Sequence, residues 1–262
     1  MGEPNLLALF SPKNIIIFMM IFTRLTGMIT TAPFFSTFEM PLQIRIWFCA
    51  LVSFILYPIL SAKAGFILPN TMPEFAILLT IEFAIGFLIG FVANLLFVGA
   101  QMVGEIISIQ MGLSMASVLD PATGEATPVI GNFYNYLVAI VFLVSGAYQY
   151  LFGAVYKSFF ALPVGLENIV TPAMAQGILT MSAQVFKIAF GLAMPIFSVL
   201  LVCDILLGMM SKVMPQMNIF MVSLPFKICL GLVLILFFLH GSMSYLYDVT
   251  MQYMEAILRL FT

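Results

Sequence analysis

The run EFAILLTIEFAIGFLIGFVANLLFVGAQMVGEIISIQMG, residues 74 to 112, decides the fold of this chain. Its residues are almost all apolar or small, and it lacks both proline and the period-two alternation that marks a strand. A helix of this length reaches about 60 Å at roughly 1.5 Å per residue, whereas the hydrocarbon core of a bilayer is about 30 Å thick. The pattern therefore predicts a membrane helix that bends, breaks or extends beyond the lipid.

The composition of the whole chain also indicates a membrane environment. Charged residues make up 8% of the 262 positions, where a soluble globular domain carries about 25%, and the mean hydropathy is +1.17. These ionic groups are too few to cover a water-soluble monomer. Because open sheet edges cannot be satisfied in hydrocarbon, the predicted fold class is all-α integral membrane. The six apolar segments are residues 13–33, 42–62, 74–112, 129–161, 173–211 and 216–260.

Three of these segments, each of 39 residues or more, are about twice as long as a single bilayer crossing needs. Gly99, Pro195 and Pro225 mark candidate break points inside them, and Pro58 is a candidate kink in the second segment. The cations outside the apolar cores favour both termini in the cytoplasm by the positive-inside rule. Those on the favoured side are Lys13, Lys63, Lys157 and Arg259, against Arg45 and Lys212 on the other.

Several classes of function have no support in the residues. The 9 Lys plus Arg and 11 Asp plus Glu include no basic run, so nucleic acid is not an expected partner. An odd number of cysteines, all in apolar runs, makes a disulfide framework unexpected. We find no nucleophile and base pair, metal-ligand spacing or phosphate loop, and we interpret His240 as a packed residue, so no enzyme activity or cofactor is expected. Residues 1–14 do not predict a removable signal peptide.

Polar residues of the 74–112 segment share one narrow face. A step of about 100° per residue places them, with Gly90 and Gly112, within a stripe of roughly 60°. Small residues also recur at every fourth position from Ala100, a spacing that lets backbones approach closely in membranes. Two interpretations stay open: helix packing, or a face that lines a water-containing conduit, because such polar groups are costly against lipid. The polar residues are Asn94, Gln101, Glu105 and Ser108.

Seven ionisable residues fall well inside apolar segments, where each is costly unless it is paired or hydrated. If the last two segments form a hairpin that turns at residues 215 and 216, Asp204 and Lys227 lie equidistant from the turn. We therefore predict that they meet as a structural ion pair rather than as a proton relay. The same counting places Lys187 level with Ser244, one helical turn from Asp248, and so predicts a second pair, Lys187 with Asp248. The full set is Arg24, Glu82, Glu105, Lys187, Asp204, Lys227 and Asp248.

The loop QMGLSMASVLDPATGEATP, residues 110–128, joins two strongly apolar segments. It is too rich in small residues to be a mere linker. Gly112 and Gly124 permit bends, and Asp120 before Pro121 favours a turn. Because Asp120 and Glu125 need water or donors, such a loop at membrane depth is tolerated only where protein or an aqueous cavity surrounds it.

Four blocks in this order resemble one family. They are Arg24 with TAPFFSTFEMP at 31–41, GEIISIQMGLSMASVLDP at 104–121, SFFALPVG at 158–165, and MPQMNIF with SLPFK at 214–227. Through these blocks, which are distributed over nearly its whole length, the chain resembles the FliR family of flagellar biosynthesis proteins, called SctT in virulence secretion systems.

The resemblance implies bent helical hairpins, with residues 1–165 as a FliP-like part and 166–262 as a FliQ-like hairpin. Much of such a body stands above the membrane plane, which explains helices longer than a bilayer. The implied function is the export gate of type III secretion in the bacterial inner membrane, at the basal body of the flagellum, without enzyme activity. The implied plug, at about 110–125, includes Gln110, Met111, Gly112, Ser114, Met115, Asp120, Pro121, Gly124 and Glu125.

The resemblance also implies partners. One copy assembles with several copies of FliP and FliQ homologues into a closed helical ring. An FlhB-like switch protein and an FlhA-like gate protein are further implied partners, and exported unfolded proteins pass through the gate.

Two other functions stay open at this point. An ion-coupled secondary transporter would use Glu82, Glu105 or Lys187, although transporters usually show related halves and this chain has no internal repeat. A purely structural nucleus for neighbouring subunits would differ from a gate because changes in the plug loop would alter assembly and not conductance.

Overall fold

A computed structural model of the chain describes residues 11–33, 40–63, 68–69, 71–113, 129–162, 172–214 and 219–260. Within these ranges the protein is built from helices and contains no strand. Long apolar runs form helices because every backbone N–H and C=O is then satisfied within its own segment. The helices are α1 (Pro12–Thr31), α2 (Leu42–Lys63), α3 (Met72–Met111), α4 (Val129–Val144), α5 (Ala147–Ala161), α6 (Pro172–Val213) and α7 (Ile219–Arg259).

These helices confirm the predicted fold class. Five of the six predicted segments are single helices, with ends close to the predicted ones. Helices α1, α2, α3, α6 and α7 are each long and apolar enough to cross a membrane, and α4 with α5 passes the same test as one interrupted pair. Helices α3, α6 and α7 have 40, 42 and 41 residues, which exceeds the roughly 20 that one crossing needs. The chain is an all-α, multi-pass integral membrane protein.

The segment 129–161 is two helices and not the single helix that its hydropathy predicts. Helix α4 ends at Val144, α5 begins at Ala147, and Gly146 between them has a φ of +70°. Glycine adopts this left-handed conformation without the steric cost that a side chain brings. The N–H of Gln149 donates to the carbonyl of Gly146, which satisfies one backbone group at the new helix start. Hydropathy alone does not reveal such a break.

The predicted break points do not interrupt their helices. Pro58 lies inside α2, Pro195 inside α6 and Pro225 inside α7. Proline removes one backbone donor, a loss that membrane helices tolerate when neighbouring groups satisfy the freed carbonyl. Gly99 lies inside α3 as a packing position, since a Cβ there would be 3.4 Å from the carbonyl oxygen of Val185.

The described chain forms two compact units, each assembled from segments that are distant in sequence. The first unit contains the residues up to Leu95, Gly146–Ser182 and the residues from Gln252. In it, α1 packs against α2 and touches the first part of α3 backbone to backbone. A Cβ at Gly86 would overlap the carbonyl oxygen of Arg24. The small residues on this part of α3 therefore serve helix packing.

The second unit contains Leu96–Ser145 and Ala183–Met251. Here α3 packs against α4, since a Cβ at Gly104 would overlap the backbone nitrogen of Gly131. The rings of Phe97 and Phe142 meet edge to face with centroids 5.9 Å apart. The apolar side chains that α6 and α7 leave exposed include Val202, Ile205, Leu206 and Met209 on α6, and Leu232, Val233, Leu236 and Phe237 on α7.

The contact at Gly104 gives a testable consequence. Gly104→Ala is expected to lower the free energy of unfolding by about 1–3 kcal/mol, because the added methyl group must displace the backbone of α4. Gly241→Ala is the matched control, because a Cβ at Gly241 in α7 meets no described residue within 4 Å and alanine is favoured over glycine in a helix by roughly 0.5–1 kcal/mol. Thermal unfolding in detergent measures both variants. Equal stabilisation by the two alanines would contradict the close approach of α3 and α4.

Candidate functional site

The predicted plug begins at the C-terminal end of α3. Gly112 has a φ of +81°, its N–H donates to the carbonyl of Ile109, and the N–H of Leu113 donates to the carbonyl of Ser108. These two bonds form the Schellman arrangement, which ends a helix at a left-handed residue. Helix α3 therefore ends at a defined point, where the backbone conformation favours glycine.

Helix α7 packs closely on this helix end. Met111 is fully buried, and a Cβ at Gly231 would lie 2.6 Å from its Cγ. One methyl group of Leu224 lies 3.0 Å from the position that a Cβ on Gly112 would occupy. Because Gly231 has no side chain, α7 leaves the space that Met111 fills.

A carboxylate on α6 connects this helix end with α7. The Nζ of Lys227 in α7 lies 2.5 Å from Oδ1 of Asp204, so the structure brings together the two residues predicted to pair. The Oδ2 of Asp204 accepts a hydrogen bond of 2.7 Å from Nε2 of Gln110 in α3, a contact that the sequence analysis missed. The side chain of Lys227 is 15% exposed and that of Asp204 is 41% exposed. One half-exposed carboxylate thus joins three helices.

The second predicted pair does not form. Lys187 and Asp248 both lie in the described parts of α6 and α7, both are exposed, and no ion pair joins them. Counting from the hairpin turn fixes the height of each residue along its helix but not the direction of its side chain. Asp248 instead lines a pocket beside Ile140 and Tyr247.

The polar stripe on α3 meets different surroundings along its length. Glu105 is exposed, while Asn94, Gln101 and Ser108 are partly buried. The Oγ of Ser108 is buried without a hydrogen-bond partner among the described residues. Gly104, next to Glu105, packs against α4. Packing thus accounts for the small residues, and the conduit role of the polar ones stays a prediction.

Most of the predicted plug lies outside the described residues. Gln110, Met111 and Gly112 are described, and their role in a plug stays a prediction. The residues outside are Ser114, Met115, Asp120, Pro121, Gly124 and Glu125.

A second polar cluster, centred on Arg24 of α1, was not predicted. The Nε of Arg24 donates to Oε2 of Glu82 in α3 at 2.5 Å, and its Nη1 donates to Oγ of Ser158 in α5 at 2.8 Å. The guanidinium also lies 3.8 Å from the ring centroid of Phe159. The side chains of Arg24 and Glu82 are 0% and 1% exposed. Charges in such surroundings persist only when they are paired and hydrogen-bonded.

The sequence does carry a signal for the Arg24 and Glu82 pair. Gly27 follows Arg24 by about one helical turn, and Gly86 follows Glu82 by about one turn. Both glycines lie where α1 touches α3, and a Cβ at Gly27 would overlap the carbonyl oxygen of Phe83. Two intramembrane charges of opposite sign, each one turn before a small residue, are therefore candidates for a buried pair.

Both clusters consist of ion pairs and hydrogen bonds that hold helices together. Within the described ranges, no group of three His, Cys, Asp or Glu side chains could hold a metal ion. Each cluster joins two of the sequence blocks quoted above: Arg24 meets the SFFALPVG block through Ser158, and the GEIISIQMG block meets the SLPFK block through Asp204. Side-chain contacts thus link blocks that are far apart in the chain, directly in the first cluster and through Asp204 in the second.

Comparison with known proteins identifies the family. The family model described as bacterial export proteins, family 1, matches residues 15–253. The chain belongs to this family. It is 29% identical over 222 residues to the flagellar biosynthetic protein FliR of Bacillus subtilis, with 84% of each chain covered, and 28% identical over 213 residues to FliR of Escherichia coli strain K12, covering 80% and 78%. It is 34% identical over 154 residues, 59% of each chain, to the surface presentation of antigens protein SpaR of Shigella sonnei.

These matches confirm the resemblance to the FliR family. The family match begins in α1 and ends in α7, so it includes both polar clusters and the end of α3. Membership in the bacterial export family therefore applies to the chain as a whole.

Proposed function

We propose that this protein is a non-enzymatic subunit of the type III secretion export gate in the bacterial inner membrane. With FliP and FliQ homologues it forms the channel through which unfolded proteins leave the cytoplasm. The observation that carries this proposal is the family match over residues 15–253. The names of its relatives support it: one is the flagellar biosynthetic protein FliR, and another is the surface presentation of antigens protein SpaR.

The exposed apolar faces support an assembly. In the most apolar part of α7 only 11% of the residues are buried within the protein, and in that of α2 only 17%. Extended apolar faces of this kind are typical of surfaces that contact lipid or other subunits. We assign residues 1–165 as the FliP-like part and residues 166–262 as the FliQ-like hairpin. In the proposed gate, FliP and FliQ homologues form a hetero-oligomer with this chain. FlhB-like and FlhA-like proteins adjoin that complex.

The proposed plug, at about residues 110–125, seals the pore while no substrate passes. Small residues and the flexible methionine side chains make a seal that can adapt its shape, and displacement of the part that follows the end of α3 opens a path for an extended chain or a helix. Glu105 is exposed on α3, the helix that precedes the plug, as expected for a polar face along that path. Energy for transport is supplied elsewhere in the apparatus.

We favour a flagellar export system over a virulence secretion system. The matches to flagellar FliR proteins extend over 80% or more of this chain, while the match to SpaR covers 59%. The protein then belongs to the basal body of the flagellum, and its substrates are unfolded flagellar proteins.

Purification of a tagged, full-length chain from native membranes tests the proposal. We expect FliP and FliQ homologues to copurify in a fixed ratio, and we expect export of flagellar proteins to stop when the chain is absent and to resume when the tagged chain is restored. An unrelated multi-pass membrane protein with the same tag is the control. A chain recovered without partners, which moves a small solute along a proton gradient in vesicles, would overturn the proposal in favour of the ion-coupled transporter.

A further inference from the structure

Gln110, Asp204 and Lys227, which we call the α3 anchor, join the last turn of α3 to α6 and α7. Both oxygens of Asp204 are used: Oδ1 faces Nζ of Lys227 at 2.5 Å, and Oδ2 accepts from Nε2 of Gln110 at 2.7 Å. Hydrogen bonds to an ionised acceptor are roughly twice as strong as neutral ones. The anchor therefore holds α3 through an amide that is bound to an already paired carboxylate.

The residues beside Gln110 are held as well. Met111 is buried and fills the space over Gly231, and Gly112 adjoins Leu224. Three successive residues at the end of α3 thus contact α6 or α7. Gly112 is also the left-handed residue at which the helix stops. The position of the helix end and its exit direction are set together at this point.

We propose that Asp204 is a positioning residue, which binds Lys227 and Gln110 at once and thereby fixes the point at which the chain leaves α3. The inference rests on the proposed function, because in a resting export gate this point sets how well ions are excluded. It goes beyond an ion pair that only stabilises the α6 and α7 hairpin. Such a pair requires Asp204 and Lys227 but is indifferent to Gln110.

A change of Gln110 therefore tells whether Asp204 positions the end of α3 or only stabilises the α6 and α7 hairpin. Gln110→Leu removes the donor, and Gln110→Glu keeps the shape but places a second carboxylate against Asp204. Gln184→Leu is the matched control, since Gln184 is a glutamine on α6, the helix that carries Asp204, and belongs neither to the anchor nor to the polar stripe of α3. Each variant of the full-length chain is expressed in the native host, and ion leak is measured in resting cells with a voltage-sensitive dye.

We expect Gln110→Leu to raise the resting ion leak roughly tenfold. Loss of a hydrogen bond to a charged acceptor shifts the equilibrium between the held and the released end of α3 by about this factor. Gln110→Glu is expected to leak at least as much, and Gln184→Leu is expected to equal the wild type. The amount of chain that copurifies with its partners should stay unchanged in all three.

Three outcomes would overturn the inference. A Gln110→Leu variant without an ion leak, beside a variant lacking residues 113–126 that leaks, would overturn this inference alone. A deletion variant without an ion leak would overturn the plug of the proposed function and this inference with it. Hydrogen exchange at the amides of Gly112 and Leu113 provides a readout without ion flow. We expect roughly tenfold faster exchange in Gln110→Glu than in the wild type, and equal rates would also overturn the role of the anchor.

Discussion

Cells that carry the chain without residues 113–126 are expected to assemble the export complex and to leak ions. The deletion removes the proposed seal but no residue of α3, α4 or either polar cluster. We expect a rise in resting conductance of the order of a hundredfold, as for a gate that passes from about 1% open to almost fully open. The measurement is the decay of membrane potential together with growth, in cells whose complex is quantified by copurification.

The control for this deletion must separate a lost seal from a strained connection. A variant with residues 113–126 replaced by glycine and serine of the same total length restores the connection between α3 and α4 without the methionine and small-residue surface. It is expected to leak as the deletion does. Tight membranes and normal growth in both variants would count against a plug in this segment. Failure of both to copurify with partners would instead indicate the purely structural nucleus.

The helices were predictable because membrane solvation acts on composition and length. Any apolar run must form a helix to satisfy its backbone in lipid, so the bounds of α3 follow closely from residues 74–112. The break at Gly146 was not predictable in this way. A single left-handed glycine changes neither hydropathy nor length, and other glycines, such as Gly99, lie in continuous helix.

The polar contacts were predictable only where one hairpin sets the geometry. Counting from a shared turn fixes two residues at equal height, and Asp204 and Lys227 do meet. The same counting places Lys187 one helical turn from Asp248, and these two residues do not pair, because height along a helix does not determine the direction in which a side chain points. Gln110 joins Asp204 across 94 positions of sequence, and no local pattern carries that information.

Replacement of Arg24 by methionine is expected to lower the free energy of unfolding by about 3–5 kcal/mol. Glu82 would then be a carboxylate 1% exposed without its partner, and Ser158 and Phe159 would lose their contacts with the guanidinium. Arg24→Lys is expected to restore little of this loss, since a single ammonium cannot reach two acceptors and stack on a ring in the guanidinium's fixed geometry. Thermal unfolding in detergent and the amount of folded chain in membranes measure the effect.

A double variant decides whether the loss comes from the broken pair or from lost packing. If the uncompensated charge dominates, Arg24→Met combined with Glu82→Met should be more stable than Arg24→Met alone, because neither charge is left buried without its partner. Lys187→Met is the matched control: it removes an exposed cation that has no ion pair with a described residue, so the same substitution should change stability by less than about 0.5 kcal/mol. If the double variant is as unstable as the sum of its single changes, the pair does not couple α1 to α3. Rescue by the double change would identify the pair as a specific junction whose charges must be removed together.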